Sequence, residues 1–260
     1  FEPFNGRKTN TSLEVLENLK LKNVTKKILP VSWDRSLEIV KNLLDLGPNI
    51  LILCGEAQGR NCVTLEKVAI NYMDASIPDN DGVIKKNQRM FSGLDGYFSN
   101  VDISFIVDKV NKDEELVKMS LTAGSYICNA TYYQALSKVY GNTYSTKVVF
   151  IHLPTTDDEK DIKEKFPMII EKVINEISKK YGITEEDILG RKRQVEIMNA
   201  KHIAVYLMST QRNMTSTQIG KFFDRNHTTI LASIDTVEKR INENSLFKIE
   251  IEDLIKELKD

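Results

Sequence analysis

Short apolar runs occupy the first two thirds of this chain and are missing from the last third. "NILILCG", "ISFIVD" and "KVVFIHLP" alternate with longer amphipathic segments such as "RSLEIVKNLLDL" up to about residue 165. That alternation is the pattern of strands and helices in an α/β layer fold, with each apolar run predicted as a strand. From about residue 167 the period is helical throughout. "PMIIEKVINEISKKYG" opens on Pro167 and closes on Gly182, which is helix punctuation at both ends. "NAKHIAVYLM", "TSTQIGKFFD" and "HTTILASIDTVEKRI" follow, the last with Ile230, Ile234, Val237 and Ile241 on one apolar stripe. The terminal "IEIEDLIKELKD" reads as an amphipathic packing helix. The expected architecture is an α/β domain over residues 1–176 and a second, smaller all-α domain over 177–260. The helix at 167–180 lies at the junction with no linker beside it, and sharing it would couple the two domains rigidly.

Charge and cysteine usage narrow the function classes. The formal net charge is -1, so no global basicity announces nucleic acid, and any such signal has to be local. No apolar run approaches the roughly 18 residues that a membrane helix needs, and no segment resembles a secretory signal. A non-membrane, cytoplasmic protein is expected. The three cysteines, Cys54, Cys62 and Cys128, are odd in number and lack metal-ligand spacing. Neither a disulfide framework nor a zinc site is expected, nor any cofactor. Phe1 stands inside a motif with no methionine before it, so an initial strand is expected upstream.

Cys128 lies in "SLTAGSYICNATYYQAL", four residues after Gly124 and at the start of a run with helical character. A thiol at a helix N-terminus is poised toward thiolate by free N–H groups and the helix dipole. His152 in "FIHLP" ends an apolar strand, where side chains of an α/β fold converge on a site. Histidine is the usual base for a cysteine nucleophile. In "CGEAQGRNCVTLEKVAINYMDASIPDNDG", two glycines follow a strand and Glu66 is expected to enter a helix, from which its carboxylate can orient the imidazole. Taken singly, the same residues also read as a packing thiol, a strand-end histidine and a solvated helix glutamate.

Four long motifs in order, "FEPFNGRKTNTSLEV", "GRNCVTLEKVAINYMDASIPDNDG", "TAGSYICNATYY" and "FIHLP", closely resemble pyroglutamyl peptidase type I. That family comprises cysteine peptidases of α/β/α fold. The resemblance spans residues 1 to about 176 and implies a three-layer α/β/α domain with Glu66, Cys128 and His152 as its triad. It implies Phe1 and Phe4 as walls of a pocket for the pyrrolidone ring, with Glu56 in the pocket-forming turn. The implied substrates are peptides with an N-terminal pyroglutamate. The chain departs from the family pattern at Lys67 and Ser76, where arginine is usual, and at Glu56, where a neutral residue is usual.

In the tail, "FFDRNHTTILASI" sets a turn between two helical segments, and the second begins with small polar residues. A plain helical hairpin with a threonine cap shows the same pattern, as does a helix-turn-helix whose second helix enters the major groove. Between Arg191 and Arg225 stand seven cations (Arg191, Lys192, Arg193, Lys201, Arg212, Lys221, Arg225) against Glu196 and Asp224, a local charge of +5. Such a concentration suits phosphate contact. Residues 168 to 260 resemble the C-terminal DNA-binding domain of the bacterial replication initiator DnaA, through "YGITEEDILGRKR" and "IGKFFDRNHTTILASI". The resemblance implies that Arg225, Asn226, His227, Thr228 and Thr229 meet the major groove and phosphates. By it, Arg191, Lys192 and Arg193 form a basic loop against the backbone and minor groove. Asn226 replaces the usual aspartate, and Lys201 and His202 replace an arginine and a glutamine. No GxxxxGKS or GxxxxGKT loop occurs, so the initiator's ATPase module is not expected here. The implied partner is double-stranded DNA carrying a DnaA-box-like site, with homo-oligomerisation left open. Two function classes follow: a working peptidase with a DNA-binding appendix, or a DNA-binding regulator whose peptidase-like domain senses pyroglutamate or a peptide end.

Overall fold

The computed structural model describes residues 1–21, 24–141, 145–184, 202–212, 214–223, 226–243 and 245–257. The chain divides into two compact units, Phe1–Arg191 and Lys192–Asp260. In the first, α1 (Thr11–Asn18) and α2 (Trp33–Asp45) precede β1 (Ile50–Ala57), β2 (Val63–Glu66), β3 (Val68–Ile70) and β4 (Gly96–Phe98). Then come α3 (Ile103–Val110), β5 (Val117–Ser120), α4 (Ile127–Gly141), β6 (Lys147–Pro154), a π-helical turn (Asp161–Lys165) and α5 (Phe166–Tyr181).

The main sheet has the order β1-β6-β2-β5 and is mixed, with β1 and β6 parallel, β6 and β2 antiparallel, and β2 and β5 parallel. β3 and β4 form a separate antiparallel pair. Alternation along the strands sends successive side chains into two different cores. Leu51, Leu53, Val148 and Phe150 pack with α2 and α4. Ile52, Cys54, Val149, Ile151, Leu153, Val63 and Leu65 pack on the opposite face with α1, α3 and α5. The result is the expected α/β/α sandwich. Burying each large apolar side chain contributes about 1.5–3 kcal/mol, so these two cores carry most of the unit's stability.

Sequence and structure disagree at three places in this unit. "ISFIVD" forms α3 and not a strand, because the Asp102 carboxylate caps it by accepting the Phe105 N–H at 3.2 Å. Ile103, Ile106 and Val110 then fall on one buried face at helical spacing. Glu66 ends strand β2 and enters no helix. Helix α5 runs unbroken through residue 176 and ends at Gly182, in the left-handed conformation at φ 63°, where the Ile183 N–H reaches the Ser178 carbonyl at 2.9 Å. Its buried face, Ile169, Ile170, Val173 and Ile177, packs into the core of the first unit.

The elements described in the second unit are all helices: α6 over 202–212, α7 (Ser216–Phe223), α8 (His227–Glu243) and α9 (Ser245–Glu257). Thr215 and Gln218 cap α7 reciprocally: the Thr215 hydroxyl accepts the Gln218 N–H at 3.3 Å, and the Gln218 side chain accepts the Thr215 N–H at 2.8 Å. Val205, Ile219 and Ile230 form a small core where α6, α7 and α8 meet. Val237, Phe247 and Ile251 join α8 to α9.

Candidate active site and candidate DNA-binding face

Strand parity assembles the first site. His152 and Phe150 share the β6 face turned toward α4, and Thr64 and Glu66 share the corresponding face of β2, since Val63 and Leu65 point the other way. Pairing of Thr64 with His152 across β2 and β6 brings Glu66 within reach of the imidazole. His152 Nδ1 lies 2.8 Å from Glu66 Oε1, with the carboxylate fully buried and the histidine nearly so. Nδ1 being engaged, Nε2 is left for the sulfur of Cys128, which sits against Gly55, the residue opposite His152 in register. Burial alone would lower the pKa of His152. The neighbouring Cys128 sulfur and the hydrogen bond to Glu66 outweigh it and raise the value to about 9.

Cys128 is the second residue of α4, directly after the bend at Gly124, whose φ of +82° favours glycine. The helix start is pinned by Asn129, fully buried, whose amide donates to the carbonyls of Ile70 (2.8 Å) and Tyr72 (3.1 Å) and accepts the Ile70 N–H at 2.9 Å. One turn after Cys128, the Tyr132 hydroxyl donates to the Glu66 carbonyl oxygen at 2.9 Å. A single helix thus holds the thiol and braces the backbone of the acid. Cys54 faces the other core, and burial pushes its thiol up to about 12, which makes it a poor nucleophile.

Phe1 is buried in the core that Cys128 borders, and Phe4 packs at its edge. Phe4 lies 6.2 Å from the ring of Tyr126, which Trp33 meets edge-on at 5.2 Å, giving an apolar aromatic wall beside the thiol. Glu56 is oriented elsewhere: one carboxylate oxygen pairs with Arg7, and the other accepts the Thr11 N–H at 2.7 Å, at the first residue of α1. Both oxygens are occupied by the protein itself. Ser76 is exposed in the loop that Asp74 ties to Ser125, through N–H to carbonyl at 3.1 Å and hydroxyl to carbonyl at 2.7 Å. Lys67 follows Glu66 directly, its N–H bonded to the Ser120 carbonyl at 2.7 Å.

Two residues of this site had no sequence signal. Arg60 lies 2.7 Å from Glu66 Oε1 and donates to the Thr122 carbonyl at 3.1 Å, although an arginine in a glycine turn reads as solvated surface. Gly55 lies opposite His152 in register, and a Cβ there would stand 2.8 Å from Cys128 Sγ.

In the second unit, Asn226 caps α8. Its Oδ1 accepts the Thr229 N–H at 2.8 Å and the hydroxyls of Thr228 and Thr229, each at 2.7 Å. Asn226, His227, Thr228 and Thr229 are all exposed, so the first turn of α8 is a polar face open to solvent. Arg191, Lys192, Arg193 and Arg225 lie outside the described residues.

Residues 1–185 match the family model for pyroglutamyl peptidase, and residues 170–237 match that for the bacterial dnaA protein helix-turn-helix. The pyrrolidone-carboxylate peptidase of Thermococcus onnurineus is 34% identical over 180 residues, covering 67% of this chain and 90% of the relative. That of Thermosipho melanesiensis is 33% identical over 182 residues, with 67% and 90% covered. Among solved structures, pyrrolidone carboxyl peptidase from Pyrococcus furiosus superposes with a TM-score of 0.63 at 26% identity, covering 69% of this chain and 96% of that one. The Thermococcus litoralis enzyme gives 0.61 at 25% identity, covering 69% and 93%.

Proposed function

The chain belongs to the pyroglutamyl peptidase family, and from that premise we propose that Cys128, His152 and Glu66 release N-terminal pyroglutamate from peptides while the first turn of α8 reads duplex DNA. The enzyme class is pyroglutamyl-peptidase I. The observation that supports this assignment of residues is His152 bonded to a fully buried carboxylate and lying across the sheet from Gly55, against which the Cys128 sulfur sits.

The chemistry follows from that arrangement. His152 takes the Cys128 proton, and the thiolate attacks the carbonyl carbon that joins pyroglutamate to the next residue. The first-turn N–H groups of α4, which lack intrahelical partners, are the donors nearest the developing oxyanion. On collapse, the C–N bond breaks and the imidazolium protonates the leaving amine, leaving a thioester. His152 then takes a proton from water, hydroxide attacks the thioester, and pyroglutamate leaves as the sulfur departs. The wall of Phe1, Phe4 and Tyr126 suits a flat uncharged lactam, whereas a charged amino terminus would lose hydration there without compensation.

Release of a fluorophore from a pyroglutamyl amide by the full chain tests the assignment. Turnover abolished by Cys128→Ser in a folded protein is the expected result. Unchanged turnover in that variant would transfer the nucleophile elsewhere, and a folded wild type without turnover would favour the sensor reading.

For the second unit, the supporting observation is the exposed Asn226-capped turn that carries His227, Thr228 and Thr229, side chains able to bond or touch base edges. Fluorescence anisotropy with a DnaA-box-like duplex and a scrambled duplex tests it. Preference for the box that is lost in His227→Ala is expected, and equal binding of both duplexes overturns sequence-specific reading.

A further inference from the structure

Glu66 Oε1 holds more than the histidine. It lies 2.8 Å from His152 Nδ1, 2.7 Å from Arg60 Nη1 and 3.2 Å from the Thr64 hydroxyl that donates to it. The same guanidinium donates to Thr64 and, through Nη2, to the Thr122 carbonyl at 3.1 Å. Thr122 in turn sets the bend before the nucleophile, its hydroxyl accepting the Gly124 N–H at 3.0 Å. One arginine therefore spans the acid of the triad and the loop that delivers Cys128.

A fully buried carboxylate favours its protonated form unless a cation stands beside it. While His152 is an imidazolium, it supplies that cation itself. Once it has passed its proton to the leaving amine it is neutral, and Arg60 remains at ion-pair distance. We propose that Arg60 is a positioning residue of the peptidase reaction, one that balances the charge of the Glu66 carboxylate and holds it in place through the interval in which His152 is neutral. Its charge also opposes the pull of Glu66 on the imidazolium, so His152 is more readily in the neutral form that takes a proton from water. The bonds of Arg60 go to Thr64, Glu66 and Thr122 and not to Phe1, Phe4 or Tyr126, so it acts on turnover and not on substrate affinity.

This inference rests on the assignment of the triad above, and wild-type turnover abolished by Cys128→Ser tests that assignment independently. For Arg60 itself, kcat and KM of the full chain are measured from about pH 5 to 9.5 for wild type, Arg60→Met and Arg60→Lys, with folding checked by thermal unfolding. Arg60→Met is expected to lower kcat about 10- to 100-fold at neutral pH with KM within about twofold. The acid limb of its kcat profile is expected to move up by about one pH unit, because the field of Glu66 is no longer offset. Arg60→Lys, which keeps the charge but not the planar fork, retains the wild-type limb while losing part of kcat. If Arg60→Met does not fold, Arg60→Gln serves in the same comparison. An unshifted acid limb in the charge-free variant, or a rise in KM at constant kcat, overturns the proposal.

Discussion

Gly55 is the position where the smallest change should do the most damage. Its backbone is in an ordinary extended strand, so alanine meets no conformational strain there. The obstacle is space: the added Cβ would stand 2.8 Å from Cys128 Sγ and 3.1 and 3.2 Å from two ring atoms of Phe150. Ordinary contact begins near 3.4 Å, so sulfur and methyl must separate by at least 0.6 Å. Phe150 cannot give way easily, being fully buried with Tyr132 at 5.7 Å and His152 at 4.7 Å. The sulfur has to move, and it moves off the imidazole. Overpacking of this kind costs about 1–3 kcal/mol, which a folded domain of this size tolerates. A misplacement of about 1 Å costs about 100-fold in rate, so roughly 0.6 Å should cost about 10- to 50-fold in kcat/KM. Gly55→Ala is therefore expected to fold, with a modest fall in thermal midpoint, and to lose most of its turnover on a pyroglutamyl amide. Gly59→Ala provides the contrast: at φ +83° it is strained by about 1 kcal/mol, but its Cβ meets nothing within 4 Å, so turnover should persist. A Gly55→Ala enzyme within about threefold of wild type would refute the claim that this close approach sets the position of the thiol.

Other perturbations follow from named contacts. His152 binds its proton more tightly in the fold, so that contribution to stability is fully present below about pH 6.5 and is lost as pH rises through about 9. Urea unfolding should show a decline of up to about 3 kcal/mol across that window, reduced in Cys128→Ser and in Glu66→Gln, since both partners raise the value. Arg7→Met leaves the Glu56 carboxylate, whose side chain is 2% exposed, without its cation, and should destabilise the first unit by about 3 kcal/mol in the same measurement. Asn226→Ala removes the acceptor for the Thr229 N–H and should cost the second unit about 1 kcal/mol by thermal unfolding, whereas Asn226→Asp keeps the cap and should cost little.

The three residues proposed as the triad stand out in the sequence because their chemistry and their local context agree. A cysteine after a glycine bend and a histidine at a strand end each carry a recognisable pattern, and the structure places one on α4 and the other on β6. The layers were legible for the same reason, since "NILILCG" and "KVVFIHLP" are long enough for alternation to register. "VTLE", "VAI", "GYF" and "VKMS" are three or four residues each, too short for a period-2 pattern to stand out. Hence the secondary structure around Glu66 was misread. "ISFIVD" failed differently, because a continuous apolar run suits a buried helix as well as a strand, and the Asp102 cap decides between them.

What stayed hidden is whatever depends on two segments meeting. Arg60 matters because the turn after β1 folds back over β2, and Gly55 matters because α4 arrives against it, and neither event has a local signature. Strand parity gives these encounters a common cause. His152, Thr64, Glu66 and Gly55 all face α4, whereas their immediate neighbours Ile151, Leu153, Leu65 and Cys54 pack into the other core. A one-residue slip of β6 against β2 would send the imidazole into an apolar core, and burying those apolar neighbours is what forbids the slip. The geometry of the site is therefore enforced from the face of the sheet that takes no part in the chemistry.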